Sequence, residues 1–165
     1  MHGTDIAVQN SSTHINTGQH MSKESPVSSS TPFDPRGERV RRQLLGDDTF
    51  EKAMAAMTPF DREYQLFVTN QIFGRTWARG ILSQRQLSLI NLAMLAGKGC
   101  MEEFEMHFRV AVKVTGVPIV QLRELLLHIG LYCGIPIARD AFVIARNVLE
   151  EEGVDLSVLN EVDGV

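Results

Sequence analysis

The stretch Ser83-Gln84-Arg85-Gln86-Leu87-Ser88-Leu89-Ile90-Asn91-Leu92-Ala93-Met94-Leu95-Ala96-Gly97-Lys98-Gly99 decides the fold. Leu87, Ile90, Ala93 and Met94 recur at steps of three and four, the spacing of one helical face. Ser83 suits a helix start, and Gly97-Lys98-Gly99 closes the segment. From Ser88 to Ala96 apolar residues occupy more than one face. That is more apolar surface than one packing contact needs, and it predicts subunit contacts.

The same period runs outward in both directions. Upstream, Arg39-Val40-Arg41-Arg42-Gln43-Leu44-Leu45 ends at Gly46, and Asp47 or Asp48 can cap a helix burying Phe50, Ala53, Met54 and Met57. Thr58-Pro59 breaks it, and Asp61 caps a longer helix with Tyr64, Phe67, Val68, Ile72 and Phe73 as its predicted inward face. Gly74 and Gly80 bracket a loop that carries Arg75, Trp77 and Arg79. Downstream, Phe104, His107, Phe108 and Ala111 mark a helix ending near Gly116. Pro118 suits the first turn of the next, with Leu122, Leu125, Leu126 and Ile129 inward. Ala138, Ala141, Phe142, Ala145, Val148 and Leu149 form a last face ending at Gly153. No stretch alternates as a strand does, so the predicted architecture is all-α, a compact bundle of about six or seven helices.

Composition sets the outer limits. A chain of 165 residues, 44% apolar and 22% charged, has the length and balance of one globular domain. Residues 1–35, rich in Ser, Thr, Asn and Gln, cannot bury enough surface to offset chain entropy and read as a disordered tail. Residues 36–153 form the helical domain, and 154–165 a C-terminal tail. Met21 offers an alternative start. A net charge of −4 lacks the basic footprint that a phosphate backbone attracts, which argues against nucleic acid as a partner. The longest nearly apolar run, 125–138, is interrupted by His128, Gly134 and Pro136. It also falls short of the about 20 residues that cross a bilayer, so neither a membrane span nor a signal peptide is expected. Cys100 and Cys133 stand far apart with no CxxC, as reduced thiols in the cytoplasm would. No metal site is expected: His2, His14 and His20 lie in the tail at spacings that match no ligand pattern.

Two constellations carry chemistry. Glu103 precedes His107 by four residues, which places both on one helical face, where the carboxylate can bond the imidazole and raise its pKa. This is a proton-transfer pair or a surface Glu–His pair. In Phe73–Gly80 the only Trp, Trp77, stands among Arg75 and Arg79. A guanidinium fork grips a carboxylate while an indole walls a ring, which suits a small anionic substrate. The alternative is surface salt bridging and core packing. His128, among Leu125, Leu126, Leu127 and Ile129, reads as a core or interface histidine, and Cys133 as a buried thiol at a helix end.

Taken in order, several pieces resemble the carboxymuconolactone decarboxylase family: Val40-Arg41-Arg42-x-x-Leu45-Gly46, Phe73-Gly74-x-x-Trp77-x-Arg79, Ser88–Gly97, Glu103-x-x-x-His107-x-Arg109-x-Ala111 and Leu131-Tyr132-Cys133-Gly134-Ile135-Pro136. The likeness spans about residues 36 to 152. It implies an alkylhydroperoxidase D-like fold, a homo-oligomer, trimer or hexamer, and cofactor-free decarboxylation of 4-carboxymuconolactone or a related butenolide acid. The product would be an enol-lactone of aromatic catabolism, in the β-ketoadipate pathway, and the partner a small anionic lactone. In that reading His107 donates a hydrogen bond or proton to the dienolate, Glu103 orients or recharges it, Arg79 anchors a carboxylate and Trp77 walls the ring. Arg75 and His128 join the substrate-binding set. Arg75, Leu87 and His128 depart from the family's usual acidic, basic and amide residues, which points to a divergent substrate. Two other expectations stand beside this one: a non-catalytic helical binding protein of the same fold, and a thiol peroxidase. The second is disfavoured because Glu103 occupies the place of the second thiol after Cys100.

Overall fold

The structure is a computed structural model, and it describes residues 32–163. The expectations for His2, His14, His20, Met21 and most of the 1–35 tail fall outside those residues. The regular elements among the described residues are all helical. Helix α1 (Pro35–Leu45) starts where the Asp34 carboxylate accepts the Arg36 N–H at 2.9 Å, and it stops at Gly46, whose φ of +89° favours glycine. Helix α2 (Asp47–Ala55) is preceded by Gly46 rather than capped by an aspartate; it buries Phe50 and leaves Ala53 and Met54 half-buried. Helix α3 (Arg62–Phe67) passes without a break into a π-helical segment, Val68–Gly74, and Trp77–Arg79 form a 3-10 turn where a loop was expected. Then follow α4 (Gln84–Lys98), α5 (Met101–Lys113), α6 (Ile119–Tyr132) and α7 (Ile135–Glu151). After Gly153, where no element was expected, α8 spans Val158–Asp163. No helix among the described residues is long and apolar enough to cross a membrane.

Helices α4 to α7 enclose the main core, with Leu92, Phe104, Phe108, Leu122 and Val148 almost wholly shielded. Each such side chain contributes about 1.5–3 kcal/mol on burial. Ala138, Ala141 and Ala145 give α7 a small-residue face, and a Cβ on Gly130 would come within 3.3 Å of Ala138 Cβ, so α6 and α7 pack closely. A second cluster of Leu44, Phe73, Trp77, Leu87 and Val110 joins α1 and the π segment to α4 and α5. Ser83 and Gln86 form a reciprocal cap that fixes the start of α4, and Ser88 meets Thr115 at 2.9 Å inside the fold.

Two predicted faces are turned. On α4 Leu87 is buried as predicted, but the main core takes Leu92 and Ala96, while Ile90 and Met94 are exposed. On α3 and the π segment Leu66, Thr69 and Phe73 are buried, while Tyr64 and Phe67 are exposed. A π turn holds more than 3.6 residues, so a regular α period drifts out of register beyond Phe67, although Phe73 is buried as predicted and Tyr64 and Phe67 precede the π segment. Cys133, expected to be buried, is exposed at the end of α6.

Candidate active site

Gly37 and Gly74 bring α1 against the π segment at backbone distance. A Cβ on Gly37 would stand 2.1 Å from the Thr69 carbonyl oxygen, and one on Gly74 would stand 2.8 Å from Asp34 Oδ2. Asn70 completes the junction by accepting the Asp34 N–H at 2.7 Å. This packing fixes Arg41 on the inward face of α1, four residues after buried Gly37 and three before buried Leu44.

Between that layer and the α4–α5 pair lies a cleft of about 560 Å³. Its walls are apolar: Tyr64, Val68, Ile72, Phe73 and Trp77 on the N-terminal layer, and Met94, Leu95 and Met106 on α4 and α5. Arg41, Asn91, Lys98 and His107 are the polar members. The face expected to turn toward the core on α3 and the π segment therefore turns largely toward this cleft.

His107 is half-buried, and burial pushes its pKa below the ordinary imidazole value although the Glu103 carboxylate pulls the other way. The expected rise is thus reversed, because loss of hydration outweighs one carboxylate in water. Glu103 is exposed, does not line the cleft and makes no hydrogen bond to the ring.

Arg41 is only 7% exposed. Its terminal nitrogens donate to Thr69 Oγ1 and Gln65 Oε1, both at 2.9 Å, and its Nε is buried with no partner. The guanidinium carbon lies 5.4 Å from the Phe50 ring centre and 6.0 Å from that of Phe73. Burial lowers the pKa of this arginine. Its neighbour Arg42 contacts three carboxylates, Glu38, Asp47 and Glu51.

The structure therefore brings His107 and Trp77 into one cleft and places the other expected residues elsewhere. Arg75 and Arg79, both exposed, share a separate shallow concavity with Arg36 and Gly74. His128 is exposed and its ring lies tilted against that of Tyr132, with centres 4.5 Å apart. Cys100 and Cys133 are free. Among the described residues no group of three or more His, Cys, Asp or Glu side chains gathers as a ligand set. Sequence reasoning missed Arg41, although one signal was present: an arginine on the apolar stripe Gly37–Arg41–Leu44 of an amphipathic helix.

Comparison with known proteins adds an independent line. The model of the carboxymuconolactone decarboxylase family matches residues 62–147, which include Trp77 and His107 and begin after Arg41. Nitrosuccinic acid decarboxylase of Metarhizium robertsii is 33% identical over 119 residues, 72% of this chain and 82% of that protein. 4-Carboxymuconolactone decarboxylase of Acinetobacter baylyi is 29% identical over 126 residues, 76% of this chain and 93% of that protein. On the extent of these matches, this chain belongs to the carboxymuconolactone decarboxylase family.

Proposed function

We propose that this protein is a carboxy-lyase that removes carbon dioxide from a small organic acid whose own structure accepts the electron pair. The observation that carries this reading is His107, a titratable ring set in a cleft whose walls are otherwise largely apolar. The relatives' names supply two acids of this kind. In 4-carboxymuconolactone the departing carboxylate sits on a carbon conjugated through a double bond to the lactone carbonyl. In nitrosuccinic acid it sits on the carbon that bears the nitro group. In each the bond to the carboxyl carbon breaks, carbon dioxide leaves, and its electron pair becomes a dienolate or a nitronate; a proton then returns to carbon.

Each residue has a share in those steps. Apolar walls, Trp77 and Phe73 among them, keep the departing carboxylate poorly hydrated and so favour its conversion to neutral carbon dioxide. His107 donates to the developing anion and then supplies the proton, a role worth about 10²–10⁴-fold in rate. Glu103, one turn away, biases the ring toward its protonated form. The reading includes a homo-oligomer, supported by exposed apolar residues such as Leu131, Tyr132 and Ile135.

The test is direct: purified full-length protein is given 4-carboxymuconolactone and, separately, nitrosuccinate, and carbon dioxide release is followed. Turnover of at least one, reduced by about 10²-fold or more in His107→Gln, is expected. Release from neither acid would reject the assignment.

A further inference from the structure

Resting on the carboxy-lyase reading, we infer that Arg41 is the specificity-determining residue: it holds the carboxylate that the reaction keeps, so the chain selects dicarboxylic acids. Nothing in the family match assigns this residue, which lies before the matched stretch. A guanidinium is always charged, and burying it strips hydration that some partner must replace. For Arg41 the partners found are two neutral oxygens and the faces of two aromatic rings, with Nε left empty. Carboxylates are available nearby, yet Glu38 of the same helix and Asp47 and Glu51 of α2 all gather on the more exposed Arg42. The buried cation that faces the cleft is the one without an anion.

A planar carboxylate is the natural complement of this fork. Which carboxylate it takes follows from the direction of charge flow. A cation bound to the departing group would stabilise the ground state and lose its interaction as neutral carbon dioxide forms, which slows the reaction. A carboxylate that survives the reaction keeps its charge throughout, so Arg41 holds it equally well before and after bond breaking. The acid must then carry two carboxylates, one to lose and one to keep. Asn91 and Lys98, which line the same cleft, remain free to meet the rest of the substrate.

The probe is succinate, a dicarboxylate with no electron sink, titrated calorimetrically into full-length wild type, Arg41→Gln, Arg41→Lys and His107→Gln. Binding to wild type, weakened at least about tenfold in Arg41→Gln and largely kept in His107→Gln, is expected. Circular dichroism checks folding; if Arg41→Gln does not fold, Arg41→Lys, which keeps the charge but loses the planar fork, carries the test. With whichever acid is turned over, Arg41→Lys should raise KM about tenfold while kcat stays within about threefold. Absence of succinate binding to wild type, unchanged affinity in the Arg41 variants, or a fall in kcat at constant KM would each overturn the inference. Arg41-dependent succinate binding without any decarboxylation would instead reject the lyase reading and leave the carboxylate site standing.

Discussion

Burial holds the pKa of His107 below the ordinary imidazole range against the pull of Glu103, which favours the neutral ring. The imidazolium is the stronger acid, and an anion bound beside the ring favours it. A dianionic acid beside the ring raises its pKa, and binding should therefore take up a fraction of a proton near pH 6–7, about where imidazoles titrate. Calorimetry in two buffers of different ionisation enthalpy measures that uptake, and His107→Gln should abolish it. The alkaline limb of kcat should also lie at higher pH than that of kcat/KM, since the second reports the free protein. For stability the sign is the opposite of a salt-bridged histidine. A ring that is harder to protonate when folded contributes stability above its unfolded pKa of about 6.5, and that contribution is lost as pH falls through the folded pKa. Wild type should accordingly lose more Tm than His107→Gln between neutral and mildly acidic pH. Arg79 belongs to another concavity, and Arg79→Ala should leave kcat/KM within about threefold, a smaller effect than any Arg41 replacement.

The device that aims Arg41 is the contact between α1 and the π segment. Gly37→Ala would drive a methyl into the Thr69 carbonyl, and rigid backbone on both sides leaves the helix to move instead. Such overpacking costs about 1–3 kcal/mol, so the variant should show a lower Tm together with a raised KM, read by thermal melts and steady-state kinetics. Gly80→Ala makes a useful contrast: nothing lies within 4 Å of its absent Cβ, and only its φ of +74° is strained. It should affect stability with little change in KM. This junction also marks where the sequence stopped being readable. The helical period of α5, α6 and α7 is plain in Phe104, Phe108, Leu122, Leu126, Ala141 and Ala145, all buried as expected, because regular helices repeat at 3.6 residues. Beyond Phe67 the chain winds more widely, and no composition signal announces a π turn. Tyr64, Ile72 and Met94 looked like core because an apolar cleft and an apolar core recruit the same side chains. Of the residues lining the cleft, His107 and Trp77 are the two that residue type and spacing offer as candidates. The separation of Arg79 from them depends on which side of a short 3-10 turn each side chain leaves, which local sequence does not encode.

At the scale of the molecule, the two hydrophobic clusters leave two groups of apolar residues uncovered. Leu131, Tyr132 and Ile135 at the α6–α7 corner are 80%, 78% and 73% exposed, and Phe60, Tyr64 and Phe67 around α3 are 97%, 64% and 58% exposed. Scattered exposed leucines need no explanation, but two groups of large apolar residues, one of them wholly aromatic, on one small chain are what a subunit interface looks like when opened. Light scattering on the eluting protein should therefore give a mass that is a multiple of 18.4 kDa. Leu131→Asp with Ile135→Asp places charge on residues that a lone subunit already exposes, so each should change the fold's own stability by only about 0.5 kcal/mol or less. If the α6–α7 corner is the contact, this double variant should run as a monomer with an unchanged circular dichroism spectrum; if it stays assembled, the α3 group is the surface to charge next. A wild type that remains monomeric at tens of micromolar would reject the oligomer. Assembly also bears on chemistry, because Tyr64 and Met94 belong both to the cleft wall and to the exposed surface. A neighbouring subunit covering them would exclude water from the cleft, so specific activity should rise with protein concentration through the association range and fall in the dissociated variant.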